Sequence, residues 1–564
     1  MREIHGQGTI SSWASLSRCL KPIVPTRSLV FSMIVIATVS CFLVSLTMYH
    51  KPPNPKGGEP RFKPLKHHEH HDHHDHHDHH GKSARKRLKP VHEVLQQPND
   101  NADRTNRDTV RVSSGSSLSS SQQKSRSERL DDIARSLQQT RVDCSALFQN
   151  DERTVGRAVA TAKILAAEEE RIFQKNEHKM QKKVNEDSLA KQIQSEVKEW
   201  AGEFIRLTNK WYLNATQNCE MFKWSRGYIN SPLTQEEEEF PIAYSILVFK
   251  DIEMVERLLR SIYRPQNRYC IHVDIKSDSE FYRAVKALVN CFSDNVRMSS
   301  RRLDVQWATY SVLEPELVCM QDLWDMDKEE QKNIQKAAPK DGPKVHSKKV
   351  KKHWKYFINL TGQEFPLKTN YELVQIIKAL KGANSEEGTR KRANKGRWKS
   401  KAPYDIIPAK GGVHTLFNRA TVDFILHTET ARSFLEWVKG TDYPDETFFA
   451  SINFNPHLKI PGTYNGTQME ENTSLTRYKQ WYGRNCSSKQ TVRGICIIST
   501  GDLYMLGPSP FLFANKFYLH EDRIVIGCLE EKIFNDTRDE FKGLKTFDTS
   551  YYSKQDFVIN QVRG

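Results

Sequence analysis

FPIAYSILVFKDIEMVERLLRSIYRPQNRYCIHVDIK, residues Phe240 to Lys276, decides the fold. Its first apolar run, Ile242 to Phe249, is rich in β-branched and aromatic residues, as a buried strand requires. Ile252, Val255, Leu258, Leu259 and Ile262 then recur at helical spacing. After Arg264-Pro265 a second short apolar run, Tyr269 to Val273, ends at Asp274. Strand, amphipathic helix, strand is the unit that seeds a parallel sheet through a right-handed crossover. The expected class is therefore α/β. Ligands of open α/β sheets settle at the carboxyl ends of strands, and Lys250 and Asp274 stand at two such ends.

Downstream, Glu280 to Leu288 and Pro315 to Leu323 predict helices, the second preceded by Trp307. Asp325 to Lys352 is polar and Lys-rich, which predicts an exposed loop. WKYFIN, Trp354 to Asn359, predicts a strand and Tyr371 to Leu380 a helix. Ser385 to Lys401 predicts a basic, Gly-containing loop. Thr415 to Leu426 and Ala431 to Val438 predict helices, and Ile495 to Ser499 a late strand.

Upstream, Ser28 to Tyr49 gives SLVFSMIVIATVSCFLVSLTMY, an uncharged and largely apolar run. About 20 such residues span a bilayer. Arg2, Arg18, Lys21 and Arg27 precede it, which favours a cytoplasmic N-terminus and a signal anchor. Residues 50–140 read as a disordered luminal stem, too polar to offset the entropy of ordering. They include HHEHHDHHDHHDHH, His67 to His80, read as a low-complexity spacer with incidental affinity for metal. Asp151 to Tyr212 is charged and poor in Gly and Pro, with apolar positions at Val159, Ile164, Leu165, Ile172 and Phe173. It predicts long helices that pack on the domain or self-associate as a homodimer. The expected division is 1–27 cytoplasmic tail, 28–49 anchor, 50–140 stem, 141–239 helical neck and 240–545 catalytic domain.

The formal net charge of +16 over 564 residues is spread through tails and basic runs such as Lys348 to Lys352. No nucleic-acid-binding motif accompanies it, so the charge is read as solvated and no nucleic-acid partner is expected. Of ten cysteines, Cys19 and Cys41 precede the luminal part and eight follow. An even number in an oxidising compartment suggests four bridges, whose pairing spacing alone leaves open. Sequons stand at Asn214, Asn359, Asn465, Asn472, Asn485 and Asn535. Asn359, at the end of a core strand, is expected to escape modification.

The chemistry centres on TDYPDETFFASI, residues 441–452. Thr441 or Asp442 can cap a helix whose first turn takes Pro444. Asp445 and Glu446 then lie at its positive end, which favours their charged forms. Either can serve as general base for a sugar hydroxyl, or both can simply complement the dipole. Arg493 and Lys516 offer cations for a diphosphate leaving group, which a carboxylate-held metal can also neutralise. The sequence after the second strand is Asp274-Ile275-Lys276, with no Asp-X-Asp, and that favours the cations.

FPIAYSILV, IEMVERLLRSIYRPQNRYCIHVDIKS, WKYFINLTGQEFPLKTNYELV, YPDETFFASI, RGICIISTGDLYML and LFANKF resemble, in order, motifs of the core 2 / I-branching β-1,6-N-acetylglucosaminyltransferases. The resemblance covers roughly residues 240 to 530. It implies a GT-A-like fold, an inverting mechanism without a divalent metal, and UDP-GlcNAc as donor. The implied acceptor is an O-glycan on glycoproteins: the GalNAc of Galβ1-3GalNAc, or a galactose of poly-lactosamine. It implies Glu446 as the base and Arg493 and Lys516 at the diphosphate. Asp274, Leu247 and Trp307 fall at the nucleoside, and Glu387, Arg397, Trp481 and Tyr482 at the acceptor. It pairs Cys144 with Cys528, Cys219 with Cys291, Cys270 with Cys319 and Cys486 with Cys496. It also implies a single-pass type II protein of the Golgi membrane. Related xylosyl- or glucuronosyltransferases, and a non-catalytic lectin or scaffold, are the alternatives.

Overall fold

The computed structural model describes residues 120–139, 141–174, 192–193, 195, 206–336, 352–466, 474–481 and 486–564. The expected tail, anchor and His/Asp run lie outside them. Among the described residues no helix is long and apolar enough to cross a membrane.

In chain order the strands are β1 (Ile242–Val248), β2 (Arg268–Val273), β3 (Val296–Met298), β4 (Tyr356–Thr361), β5 (Glu364–Pro366), β6 (Ser385–Thr389), β7 (Lys410–Asn418), β8 (Arg477–Lys479), β9 (Thr491–Val492), β10 (Ile495–Cys496) and β11 (Phe513–Asn515). The central sheet is ordered β3-β2-β1-β4-β7-β6. Its first four strands are parallel, while β7 runs antiparallel to β4 and β6 antiparallel to β7. The opening unit forms as read: β1, then helix Ile252–Ile262, then β2. Asp251 starts the helix, its carboxylate accepting the Met254 N–H at 3.2 Å.

Strand alternation divides the core. Ile242, Tyr244, Ile246 and Val248 of β1 face one layer, with Tyr269, Ile271, Ile358 and Leu360 and helices Ile252–Ile262, Ser279–Asn290 and Asn370–Ala379. Ala243, Cys270, Phe357 and Phe417 face the other, with helices Glu314–Lys336, Arg419–His427 and Phe448–Asn453. A second sheet, β5-β11-β8, joins a cluster with Cys144, Leu147, Ala158, Ala162, Leu165 and Cys528. Ala158, Ala162 and Leu165 of helix Glu152–Gln174 are thus buried on the domain.

Several sequence expectations are corrected. The stem does not stay irregular to residue 140. Ser120–Leu137 is a helix whose Leu130 and Ile133 pack with Ile533 and Phe534; few apolar residues suffice when a partner face is waiting. The loop expected from Asp325 is helical to Lys336, because Met326 and Asp327 are buried and Asp327 Oδ2 accepts from Arg419 Nη1 at 2.7 Å. Thr415 to Asn418 belong to β7, with Phe417 opposite Phe357, and the helix begins at Arg419. The basic loop begins as the edge strand β6, and the late strand is only Ile495–Cys496. Beyond Lys545 the chain still enters the core through Tyr552, Phe557 and Val558.

Three bridges form as the resemblance implies: Cys144–Cys528, Cys219–Cys291 and Cys270–Cys319. Cys486 and Cys496 carry free thiols, against the fourth pairing. They lie side by side, and burial followed by the Cys486 contact pushes the Cys496 thiol up to about 12. Asn359 is buried; its amide donates to Val413 O at 2.6 Å and accepts from Thr415 N at 2.8 Å, so its sequon has no accessible nitrogen.

Glu316 lies under the sheet, accepting from the Ser245 hydroxyl. Burial pushes its carboxyl up to about 8. The folded chain therefore binds a proton that the unfolded chain has released above its ordinary value of 4.5. Stability from this group is complete below that value and is lost as pH rises towards about 8. Urea denaturation at pH 5.5 and pH 8 is expected to show Glu316→Gln flattening this slope, by up to about 1.4 kcal/mol per pH unit.

Candidate active site

The residues expected at the nucleoside stand at the carboxyl ends of β1 and β2 and in the loop after β3. Leu247 of β1 is half-buried between His272 of β2 and Thr361 of β4. Asp274 donates its N–H to Val248 O at 3.0 Å, and its Oδ1 accepts from Lys276 N at 2.8 Å. Arg302 Nη2 holds the Asp274 carbonyl at 2.9 Å. Trp307, 58% exposed, projects from the loop after β3. Among the described residues no Asp or Glu joins Asp274 in a metal-ligating cluster. Lys276, where an Asp-X-Asp would have its second acid, instead places Nζ 3.5 Å from Asp274 Oδ2.

Arg493 and Lys516 arrive from elsewhere. Val492-Arg493-Gly494-Ile495 is a two-residue hairpin between β9 and β10, with φ of 54° at Arg493 and 75° at Gly494. Positive φ at both central residues is the type I′ turn, which Gly494 permits and which presents the Arg493 side chain at its tip. The guanidinium lies 5.4 Å from the Trp307 ring centroid. Lys516 follows β11, and its carbonyl accepts from Ile498 N at 2.9 Å. Burial first, then the Arg493 charge, lowers the Lys516 pKa, while Glu364 opposes them. Two cations set together so is a standing demand for an anion.

Beneath Lys516, Glu364 accepts from Arg477 Nε at 2.8 Å, Asn515 Nδ2 at 2.9 Å and Thr361 N at 3.2 Å. It also faces His414 Nε2 at 2.9 Å. Burial pushes His414 down to about 4, so the imidazole is neutral near pH 7. Burial, the largest single influence, acts to raise the Glu364 pKa, but the Arg477 charge together with the His414 and Thr361 contacts brings it down to about 2 and keeps the carboxylate ionised.

Around the expected base, Pro444–Glu446 is a single 3-10 turn before helix Phe448–Asn453. Thr441 and Asp442 do not cap it. Tyr443 stands at that position with φ 54°, and Thr441 Oγ1 donates instead to Val438 O at 2.7 Å. Glu446 Oε2 accepts from Arg397 Nη1 at 3.0 Å and lies 3.9 Å from Lys410 Nζ. Asp445 Oδ1 is buried without a hydrogen-bond partner, and burial with the nearby Glu446 charge pushes that carboxyl up to about 6. The two acids thus differ in setting: Glu446, the base that the resemblance implies, is opposed by cations, while Asp445 Oδ1 is buried unpartnered.

Glu387 pairs with Lys479 Nζ at 3.1 Å. Burial would raise its pKa, but Lys479, His414 and Lys410 lower it overall. The Trp481 ring lies 6.0 Å from Lys479 Nζ, and its backbone bridges Ile495 of the Arg493 hairpin. Tyr482 lies outside the described residues. Lys410, Lys479 and Tyr443 were not singled out from sequence. The one signal was Gly411-Gly412 after Lys410: a Cβ on Gly411 would stand 2.2 Å from Glu387 O and 2.6 Å from Ala450 Cβ, so β6, β7 and the helix after Glu446 close only on glycine.

Comparison with known proteins places the chain in a family. A family model described as Core-2/I-Branching enzyme matches residues 242–333 and 347–506. The beta-1,3-galactosyl-O-glycosyl-glycoprotein beta-1,6-N-acetylglucosaminyltransferase of bovine herpesvirus 4 (strain DN-599) is 36% identical over 356 residues, 58% of this chain and 74% of the relative. The enzyme numbered 3 in that series from Bos taurus is 35% identical over 356 residues, 58% of this chain and 75% of its own. Another from Bos taurus is 36% identical over 363 residues, 58% of this chain and 78% of its own. The family match takes in Leu247, Asp274, Trp307, Arg397, Glu446 and Arg493, and on this similarity the chain belongs to the Core-2/I-branching enzyme family of glycosyltransferases.

Proposed function

We propose that the protein transfers N-acetylglucosamine from UDP-GlcNAc, with inversion, to a sugar 6-hydroxyl. The acceptor is the GalNAc of Galβ1-3GalNAc on glycoproteins, or a galactose of poly-lactosamine. The observation that carries this reading is the Glu446 carboxylate, held by Arg397 and joined through Tyr443 and Trp307 to Arg493, whose charge also bears on Lys516. Glu446 takes the proton of the 6-hydroxyl, whose oxygen attacks the anomeric carbon. The bond from that carbon to the diphosphate breaks, and its electron pair leaves on a phosphate oxygen that Arg493 and Lys516 neutralise. With Arg397 on Oε2, the other oxygen of Glu446 is left for the proton.

Leu247, Asp274 and Trp307 take the nucleoside, and Glu387, Arg397, Trp481 and Tyr482 the acceptor. No divalent metal is needed, because the two cations do its work. The apolar run 28–49 and the disulfides support a type II protein of the Golgi membrane.

The test is an assay of the full-length protein in detergent with UDP-GlcNAc, UDP-xylose and UDP-glucuronate, offered Galβ1-3GalNAc and lactosamine acceptors in EDTA. The expected product is β-1,6-linked GlcNAc at a rate that added Mn²⁺ leaves unchanged. Transfer from another UDP-sugar alone would overturn the donor, and activity that EDTA abolishes and Mn²⁺ restores would overturn the cation account.

A further inference from the structure

The two halves of the cleft are joined by a chain of rings and cations. Arg493 lies 5.4 Å from the Trp307 ring, and Trp307 meets Tyr443 edge to face, 5.6 Å between centroids at 72°. Tyr443 in turn carries the Arg397 guanidinium at 5.2 Å, and Arg397 holds Glu446 Oε2 at 3.0 Å. The loop of Trp307 continues into a 3-10 turn, Tyr310–Val312, that packs against the turn Pro444–Glu446. Tyr443 is also the residue from which the Glu446 turn starts, at φ 54°. A side chain in the left-handed region costs of order 1 kcal/mol and persists where its surroundings hold it. Here two neighbours hold the ring, one from each half of the site.

We infer that Tyr443 is a positioning residue that couples nucleotide occupancy to the acceptor base. The inference rests on the transferase reading only in placing the diphosphate at Arg493 and the acceptor at Glu446. A phosphate draws Arg493 by a charge-assisted hydrogen bond, which is stronger than an exposed cation–π contact. Arg493 then leaves the Trp307 face. Trp307 settles on the nucleoside, and the ring it touches, Tyr443, settles with it. Arg397 is carried on that ring, so the carboxylate it holds is fixed for the acceptor hydroxyl once the donor is in place. Acceptor binding is therefore tighter with the nucleotide bound than without, and the reverse holds by linkage.

Calorimetry on the full chain in detergent tests this, titrating Galβ1-3GalNAc with and without saturating UDP. In the native protein UDP is expected to tighten the disaccharide by about 5-fold or more, the lower end of measured couplings between sites. In Tyr443→Leu, which keeps apolar bulk but removes the π face, the tightening should fall below about 2-fold while UDP alone binds as before. Tyr443→Phe, which keeps the ring, should restore it. The melting temperature of each variant is measured alongside, and Tyr443→His replaces Leu should the latter fail to fold. His keeps a smaller ring and predicts an intermediate coupling. Coupling retained in Tyr443→Leu, or absent from the native protein, overturns the inference. A native protein that binds neither UDP nor the disaccharide overturns the transferase reading instead.

Discussion

Glu446→Gln is expected to lower transfer by about 10²–10⁴-fold, the usual contribution of a positioned general base, with UDP affinity unchanged. The substitution keeps the shape and the oxygen that accepts from Arg397 Nη1, so the 3-10 turn has no reason to rearrange. What it removes is the capacity to receive a proton. On the proposed reading UDP is held at Arg493, Lys516 and the ends of β1 and β2, away from Glu446, and its affinity should not register the change. Steady-state turnover with UDP-GlcNAc and Galβ1-3GalNAc, paired with UDP titration, separates the two quantities. Turnover near the native rate would remove Glu446 from the role. Asp445→Asn is the informative companion. Its carboxyl is buried and pushed up to about 6, and it should affect stability before chemistry.

The second large effect is expected at a residue that touches no substrate. Glu364→Ala should destabilise the protein by about 3–5 kcal/mol, the range for breaking a buried ion pair from one side. Glu364 and Arg477 are both fully buried. Without the carboxylate, the Arg477 guanidinium keeps its charge in a dry interior, and the Asn515 amide and the Thr361 N–H lose their acceptor. Lys516 loses the acid that offsets Arg493, so the donor side should weaken as well. Denaturant midpoints give the stability and UDP titration the second effect. Removing both charges together, as in Glu364→Ala with Arg477→Met, should cost less than Glu364→Ala alone, because no uncompensated ion is left. A double variant less stable than the single one would show that the pair is not the source of the loss.

How far the sequence reached depended on how local the cause was. The unit from Phe240 to Lys276 was legible because each of its decisions is made within a few residues. Short continuous apolar runs set the strands, 3.6-residue spacing sets the helix, and in the fold Asp251 marks where the helix begins. The same logic failed at Thr415 to Asn418. There the pattern suits helix or strand, and pairing of Phe417 with Phe357 of β4 decided. It failed again at Ser120–Leu137, whose polar composition hides the few apolar residues that meet Ile533 and Phe534.

Among the site residues, Glu446, Arg493 and Lys516 could be proposed because YPDETFFASI, RGICIISTGDLYML and LFANKF resemble family motifs. Lys410, Lys479 and Tyr443 could not. Each is a common residue made meaningful by a partner far along the chain, as Lys479 is by Glu387, 92 residues away.

By itself, then, the sequence determined the α/β seed, the ends of β1 and β2 where a ligand settles, and two acids and two cations fit for sugar transfer. The resemblance already implied Glu446 as the base; the tertiary structure added that Glu446 pairs with Arg397 while Asp445 Oδ1 is buried without a partner. It also formed three of the four bridges that the resemblance implied and placed Tyr443 between Trp307 and Arg397. The physical reason is range. Backbone preference and hydrophobic spacing act over a turn or a strand and are written in neighbouring residues. Desolvation, ion pairing and ring contact depend on what the fold brings within a few ångströms from more than a hundred residues away, as Glu364 and Arg477 are brought together.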